Sequence, residues 1–382
     1  MRRFLALAAL CLALLAGSCG SGKAAELSIT FLERAASGAR SIEDEGLAGA
    51  RLGLADNAAS GRFLGQAFTL KPLVLGRADD IAAAVRSTGA AFIVAKLEAN
   101  ALREAAAALP QGIIFNVAAT DDALRNEYCA PSLLHTIPSR AMLADGLAQY
   151  LVWKRWKHWF LIVGSTDGDR LYADAVRRAA KKFGAEIAVE KMWTFGTPQA
   201  RADTGHVTLQ SEIPAFTRVG DHEVVVVADE TDAFGENLMG RTALPRVIAG
   251  THGLAAAGWN SVNQQWGATQ LQSRFMKEFG RAMTPVDYAA WAAVRAIGEA
   301  SLRTRSTDPA TIAAYLRGPE FLLSGYKGQA QSFRPWDGQM RQPILIAGPR
   351  LLVSVSPQAG FLHQVSSLDT LGFDQTETRC SR

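Results

Sequence analysis

Two series of short apolar runs, separated by segments of helical period, constrain this chain more than any other feature. In the first, "LSITFLE", "FTLKPLVL", "AAFIVAK" and "GIIFNVA" read as strands. Between the later ones lie "DDIAAAVRSTG" and "EANALREAAAALP", with apolar residues at helical spacing and a Gly or Pro stop. In the second, the strands are "WFLIVGS", "EIAVEKMWTF", "EVVVVADE" and "RVIAGTHG". The helix "DRLYADAVRRAAKKFG" places Leu171, Ala175, Val176, Ala179 and Phe183 on one stripe, with Gly184 at a left-handed cap. Continuous apolar strands alternating with helices predict a parallel sheet covered on both faces. Two such series predict an α/β chain of two doubly wound, Rossmann-like lobes.

The remainder breaks that rhythm. "TPVDYAAWAAVRAIGEASL" opens with Thr284 as N-cap, Pro285 at the first helical position and Asp287 two further on, and "DPATIAAYLRG" repeats the device with Asp308 and Pro309. "FRPWDGQM" carries an Asp-Gly turn, and "ILIAGPRLLVSV" reads as a hairpin. Late strands after helices imply that the chain returns to complete both lobes. Residues 25–138 with 258–328 are expected to form one lobe, and 139–257 with 329–382 the other. No low-complexity linker is present, so a hinge of several short crossovers should join them.

The N-terminus is a targeting segment. "MRRFLALAALCLALLAG" has two arginines and an apolar run short for a bilayer span, which describes a secretory signal over residues 1–24. Gly17, Gly22 and Lys23 match the G-x-x-x-x-G-K core of a phosphate loop, but Ala24 stands where a Ser or Thr must bind magnesium. "AELSITFLER" follows as a strand rather than a helix, so the match is incidental. Two cleavage modes remain. Gly22 and Ala24 suit soluble release into the periplasm, whereas "AGSC" resembles a lipobox that would anchor the chain at Cys19, with Leu15 one place too early.

Composition excludes several classes. The chain has 40 basic and 36 acidic residues, and cleavage after Ala24 leaves 37 against 36, with no clustered basic face of the nucleic-acid type. There is no G-x-S-x-G, no H-E-x-x-H and no C-x-x-C, and the six histidines show no metal-ligand spacing, so neither an enzyme nor a resident cofactor is indicated. His206 and His222 read as surface residues. Asp167 and Asp169 begin like a calcium loop, but the pattern does not continue. Cys129 and Cys380 can pair in an oxidising compartment or stay as two thiols.

"LLHTIPSRAMLADGLAQYLVWKRWKHWFLIVGSTDGDRLYADAVRRAAKKFGAEI", with "YAAWAAVRAIGEAS" and "FRPWDGQM", resembles the type I periplasmic solute-binding proteins, specifically the branched-chain amino acid receptors. The resemblance covers roughly residues 26 to 365. It implies two lobes closing about a hinge on a small ligand, no catalysis, a monomer, and an ABC permease as partner. Ligand contacts should come from loops at the C-terminal ends of the strands. In "VAATDDAL" the resemblance implies binding by backbone groups of Ala118 and Ala119 and by the Thr120 hydroxyl. The second-lobe loop contributes Asp167 and Asp169, "ADETDAF" contributes Glu230, and the acid that holds the ligand ammonium falls at His252 of "GTHG". That departure weighs against an ordinary α-amino acid.

Two further groups of side chains are candidates. Arg34, Lys96 and Arg140 lie near strand ends or the hinge and suit anionic groups. Of the eight tryptophans, Trp153, Trp156 and Trp159 read as packing, while Trp259, Trp266 and Trp291 are candidates for an aromatic slot. "GTHGLAAAGWNSVNQQWGATQLQSRF" with "DYAAWAAVRAIGEA" resembles the branch of this family associated with quinoprotein, PQQ-dependent alcohol dehydrogenase systems. This implies PQQ, a planar tricarboxylate, as the ligand, with uptake or delivery to a dehydrogenase as its purpose. The alternatives are a branched-chain-type amino acid receptor, or a ligand-free accessory partner of such a dehydrogenase.

Overall fold

The computed structural model describes residues 25–35, 42, 44–194 and 212–380. The expected targeting segment 1–24 with Cys19, and His206, lie outside them. Strands β1 (Ala25–Arg34), β2 (Gln66–Leu75), β3 (Phe92–Lys96), β4 (Ile113–Asn116) and β5 (Leu133–His135) form an all-parallel sheet in the order β2-β1-β3-β4-β5. β3 and β4 are buried almost throughout, as expected for strands covered on both faces. The second lobe contains β6 (His158–Val163), β7 (Glu186–Met192), β8 (Val224–Ala228), β9 (Val247–Gly250) and β10 (Leu254–Ala257). A small antiparallel sheet of β11 (Leu323–Ser324), β12 (Ala330–Phe333) and β13 (Met340–Arg341) follows. The hairpin β14 (Ile344–Ala347) and β15 (Leu352–Ser356) then completes the second sheet, in the order β15-β14-β10-β9-β8-β6-β7.

Helix starts obey the local chemistry. Thr284 and Asp287 form a capping box for Pro285–Thr304, Thr166 and Asp169 form one for Asp167–Phe183, and Asp308 caps Pro309–Arg317. The inward face of Asp167–Phe183 differs from expectation by one register step. Leu171 is 45% exposed, and Tyr172 takes the buried place beside Ala175, Val176 and Ala179. "GLAAAG", read as loop, supplies β10, because it pairs with β9 on one side and the returning β14 on the other. The segment 330–341, assigned from sequence to the second lobe, instead packs Phe333 and Met340 into the first-lobe core. The surface reading of His222 is also corrected. It is buried, edge-on to Phe160 at 5.5 Å.

The helix Pro285–Thr304 packs on Leu47–Leu64, and a Cβ on Gly49 would lie 1.9 Å from the Asp287 carbonyl oxygen. That approach draws the aromatic face of the helix into the core. Trp259 stacks on Tyr288 at 4.5 Å between centroids, and the Trp291 indole N–H donates to Asp56 at 2.9 Å. An aromatic pair of this kind contributes about 0.5–1.5 kcal/mol beyond its buried area.

Three passages link the lobes, after β5, after β10 and between β13 and β14. Buried glutamines tie them together. The Gln342 side chain donates to the Thr136 carbonyl at 2.7 Å, and Gln339 to those of His135 and Ile137 at 3.2 and 3.1 Å. Cys129 and Cys380 are bonded across 251 residues, fastening the C-terminal tail to the first lobe. Cys380→Ser is expected to lower unfolding stability by about 2–4 kcal/mol. The check is a urea titration in which reductant brings the parent protein to the midpoint of the variant.

Candidate functional site

The C-terminal ends of the parallel strands of both sheets face one cleft. On the first-lobe side, a cavity of about 790 Å³ is lined by Arg34 at the end of β1, Arg77 after β2, Lys96 at the end of β3, Thr120 after β4, and Arg140. Arg34 donates from Nη1 to Glu98 at 2.8 Å and from Nη2 to the Asp79 carbonyl at 3.3 Å. Lys96 Nζ lies 3.6 Å from Glu33 and 3.5 Å from Glu45. Burial pushes the Glu33 carboxyl up, and Lys96 only partly offsets it.

The loop after β4 is built from below. Asn116 is fully buried, and its Oδ1 accepts from the N–H groups of Ala118 at 3.1 Å and Ala119 at 2.9 Å. Those two backbone donors are therefore used internally, contrary to the expectation that they hold a ligand. Ala119 still lines the cavity, but Thr120 is the residue that offers polar groups to it. Beneath the loop, Arg125 is 1% exposed and donates to the carbonyls of Ala119, Asp121 and Ile137 and to Gln339 Oε1. Burial lowers its pKa to about 10, so it keeps its charge at neutral pH.

The second-lobe wall bounds another cavity of about 610 Å³, and Thr120 lines both cavities. Arg140 joins the walls. Its N–H donates to the Thr120 carbonyl at 2.9 Å, and its side chain makes a bidentate pair with Glu230 at 2.8 and 2.7 Å. Burial opposes the Arg140 charge, but Glu230, together with Asp121 and Asp122, more than restores it and raises its pKa. Gly168 makes room for this pair, since a Cβ there would lie 2.7 Å from Glu230 Oε2. Behind it, Asp229 accepts from the N–H groups of Ala233, Phe234 and Gly235 at 2.9, 2.7 and 2.8 Å. Burial works against the Asp229 charge, yet these donors hold its carboxyl below the usual range. His252 Nε2 lies 2.9 Å from Asp232, and its Nδ1 lies 3.0 Å from the Thr251 hydroxyl. Asp232, Glu236 and His252 place their ligand atoms within 4.8 Å of one another, a grouping that spacing along the chain did not reveal.

A family model described as a periplasmic binding protein matches residues 27–349. The chain belongs to that family. Solved structures share its fold at low sequence identity. A branched chain amino acid ABC transporter periplasmic ligand-binding protein from Burkholderia xenovorans is 17% identical, with TM-score 0.70, over 86% of this chain and 95% of that one. The leucine-, isoleucine-, valine-, threonine- and alanine-binding protein from Brucella ovis is 15% identical, with TM-score 0.71, over 94% and 98%. A periplasmic binding protein from Burkholderia mallei is 17% identical, with TM-score 0.66, over 93% and 98%. No curated protein sequence is similar to the chain. Among the described residues of this binding protein, no helix is long and apolar enough to cross a membrane.

The expected site residues divide sharply. Arg34, Lys96, Ala119, Thr120, Arg140, Glu230 and His252 come together around the cleft. Asp167 does not, since it is exposed and pairs with Arg170. Asp169 is buried as the helix cap and accepts the Glu230 N–H at 2.7 Å, which makes it a support for the wall rather than part of it. The aromatic slot is not formed by the expected residues. Trp259 and Trp291 belong to the first-lobe core, and Trp266 lies over Gly328 and lines neither cavity. Arg77, Glu98, Asp121, Tyr172, Asp232 and Glu236 were missed. Arg77, Glu98, Asp121 and Asp232 share one signal, a place within five residues of a strand end, whereas Tyr172 and Glu236 sit in helices further along the chain. Burial pushes the Tyr172 phenol up, so it stays a neutral hydrogen-bonding group.

Proposed function

We propose that this periplasmic binding protein captures a small carboxylate-bearing solute of the amino-acid type between its lobes, for handover to an ABC importer. The observation that carries this reading is the polarity of the cleft. Arg34, Arg77, Lys96 and Thr120 line the first-lobe side and, with Arg140, outnumber Glu98 and Asp121 there, whereas Asp229, Glu230, Asp232 and Glu236 outnumber His252 on the second. A zwitterion placed between them turns its carboxylate to one wall and its ammonium to the other. The names of the structural neighbours, amino acid receptors of ABC transporters, support the same ligand class. His252 stands where the resemblance expects an acid, but Asp232 and Glu236 beside it supply the negative charge.

PQQ is the second reading. The first-lobe cations favour a polycarboxylate, while the burial of Trp259 and Trp291 removes the stacking surface that reading relied on. Calorimetric titration of the mature protein with the protein amino acids and with PQQ decides between them. One-to-one binding of an amino acid at micromolar Kd or tighter, about −8 kcal/mol, is expected. Binding of PQQ alone would replace the amino-acid reading, and silence with both would leave an accessory partner of a dehydrogenase as the better account.

A further inference from the structure

We infer that the solute carries a second acidic group, held by Arg34, Arg77 and Lys96 on the first-lobe wall, so that the ligand class is dicarboxylic. This rests on the reading of the cleft as an amino-acid-type site and narrows it. The decisive atoms are two guanidinium N–H groups. Arg34 Nε and Arg140 Nη1 are both shielded from solvent and have no hydrogen-bond partner among the described residues, and both arginines line the same cavity. Arg140 is 8% exposed, and the nearest carboxylate to its Nη1, that of Asp121, is at 3.5 Å, beyond a well-made charged hydrogen bond. A buried donor left unsatisfied is costly, more so when it is charged. A ligand oxygen that a small side-chain shift brought to either would remove that cost.

One carboxylate cannot use this whole wall. Arg140 stands beside Thr120, joined through the Thr120 carbonyl, so the ligand α-carboxylate falls between them. Arg34, Arg77 and Lys96 come from the ends of β1, β2 and β3, three neighbouring strands of the sheet. The acids in this cavity lining are Glu98 and Asp121, against four cations, which leaves the lining net positive. Glu33 and Glu45, the partners of Lys96, lie outside the lining, at 3.6 and 3.5 Å from Nζ. Arg34 is already paired with Glu98 and Lys96 with Glu33 and Glu45, so a neutral side chain placed here leaves Arg77 and the Arg34 Nε donor without a ligand acceptor, whereas a carboxylate supplies one.

The test compares near-isosteric ligands. Glutamate and aspartate are titrated against glutamine and asparagine at pH 7, with glutarate as a probe lacking the ammonium. Glutamate or aspartate is expected to bind at least about tenfold tighter than its amide. Arg34→Gln is expected to erase most of that preference, lowering affinity for the acid more than for the amide, and its urea midpoint reports whether it folds. Tighter binding of the amides, or of aliphatic amino acids alone, would overturn the second acidic group and leave the amino-acid reading standing. Binding of glutarate without any amino acid would uphold the dicarboxylic class and overturn the zwitterion. If no acid binds, the inference falls.

Discussion

Arg125→Met is expected to destabilise the protein by about 3–5 kcal/mol, as removal of a buried charged group from its partners does. The guanidinium makes charge-assisted bonds to Gln339 and to three carbonyls, at 2.8 to 3.1 Å, each worth about 1.5–3 kcal/mol before desolvation is counted. Desolvation of the guanidinium offsets part of that sum. Two of the carbonyls belong to Ala119 and Asp121, so the loop that presents Thr120 loses part of its support and keeps that from Asn116. Urea unfolding should show the lower midpoint, and calorimetry should show weakened solute binding although Arg125 lines neither cavity. Arg125→Lys should recover little of either. A single ammonium cannot reproduce the planar fork that meets acceptors from residues 119, 121, 137 and 339. Normal stability with normal binding in Arg125→Met would refute this role.

Asp229→Ala is expected to have the comparable effect on the opposite wall, costing about 3 kcal/mol. Its carboxylate gathers three backbone N–H groups of residues 233–235, and their loss leaves donors that are expensive to bury. The loop carrying Glu230, Asp232 and Glu236 would lose its anchor, so solute affinity should fall with stability. The pH dependence has a defined sign. Because the folded-state pKa of Asp229 is depressed, its stabilisation is present above the unfolded value near 3.8 and is lost as pH falls through the folded value. The stability gap between the parent and Asp229→Asn should therefore close under acid unfolding below about pH 4. A gap that persists to the lowest pH would show that geometry, not charge, carries the contribution.

Much of the cleft was legible because loops after parallel strands must lie at one edge of a sheet. Arg34, Lys96, Thr120, Glu230 and His252 were found by that rule. The aromatic candidates failed for a physical reason. An indole near a strand end suits a slot or a core equally, and the choice fell to the close approach of two helices at Gly49, which draws Trp291, with Trp259 stacked on Tyr288, inward. Asp169 misled in a similar way, since one carboxylate can cap a helix, hold a neighbouring N–H or meet a ligand, and in this fold it does the first two.

By itself, the sequence determined the alternation of buried strands and helices, the caps that begin the long helices, and hence two doubly wound α/β lobes. These follow from periodicity and from short-range hydrogen bonding, which act within a few residues. Tertiary structure alone decided that Cys129 meets Cys380, that Phe333 and Met340 serve the first core, and that Arg140 pairs with Glu230 within the second lobe. Those outcomes depend on contacts between residues 90 to 251 positions apart, whose geometry is set by how sheets, helices and crossovers pack together. No local pattern encodes that packing.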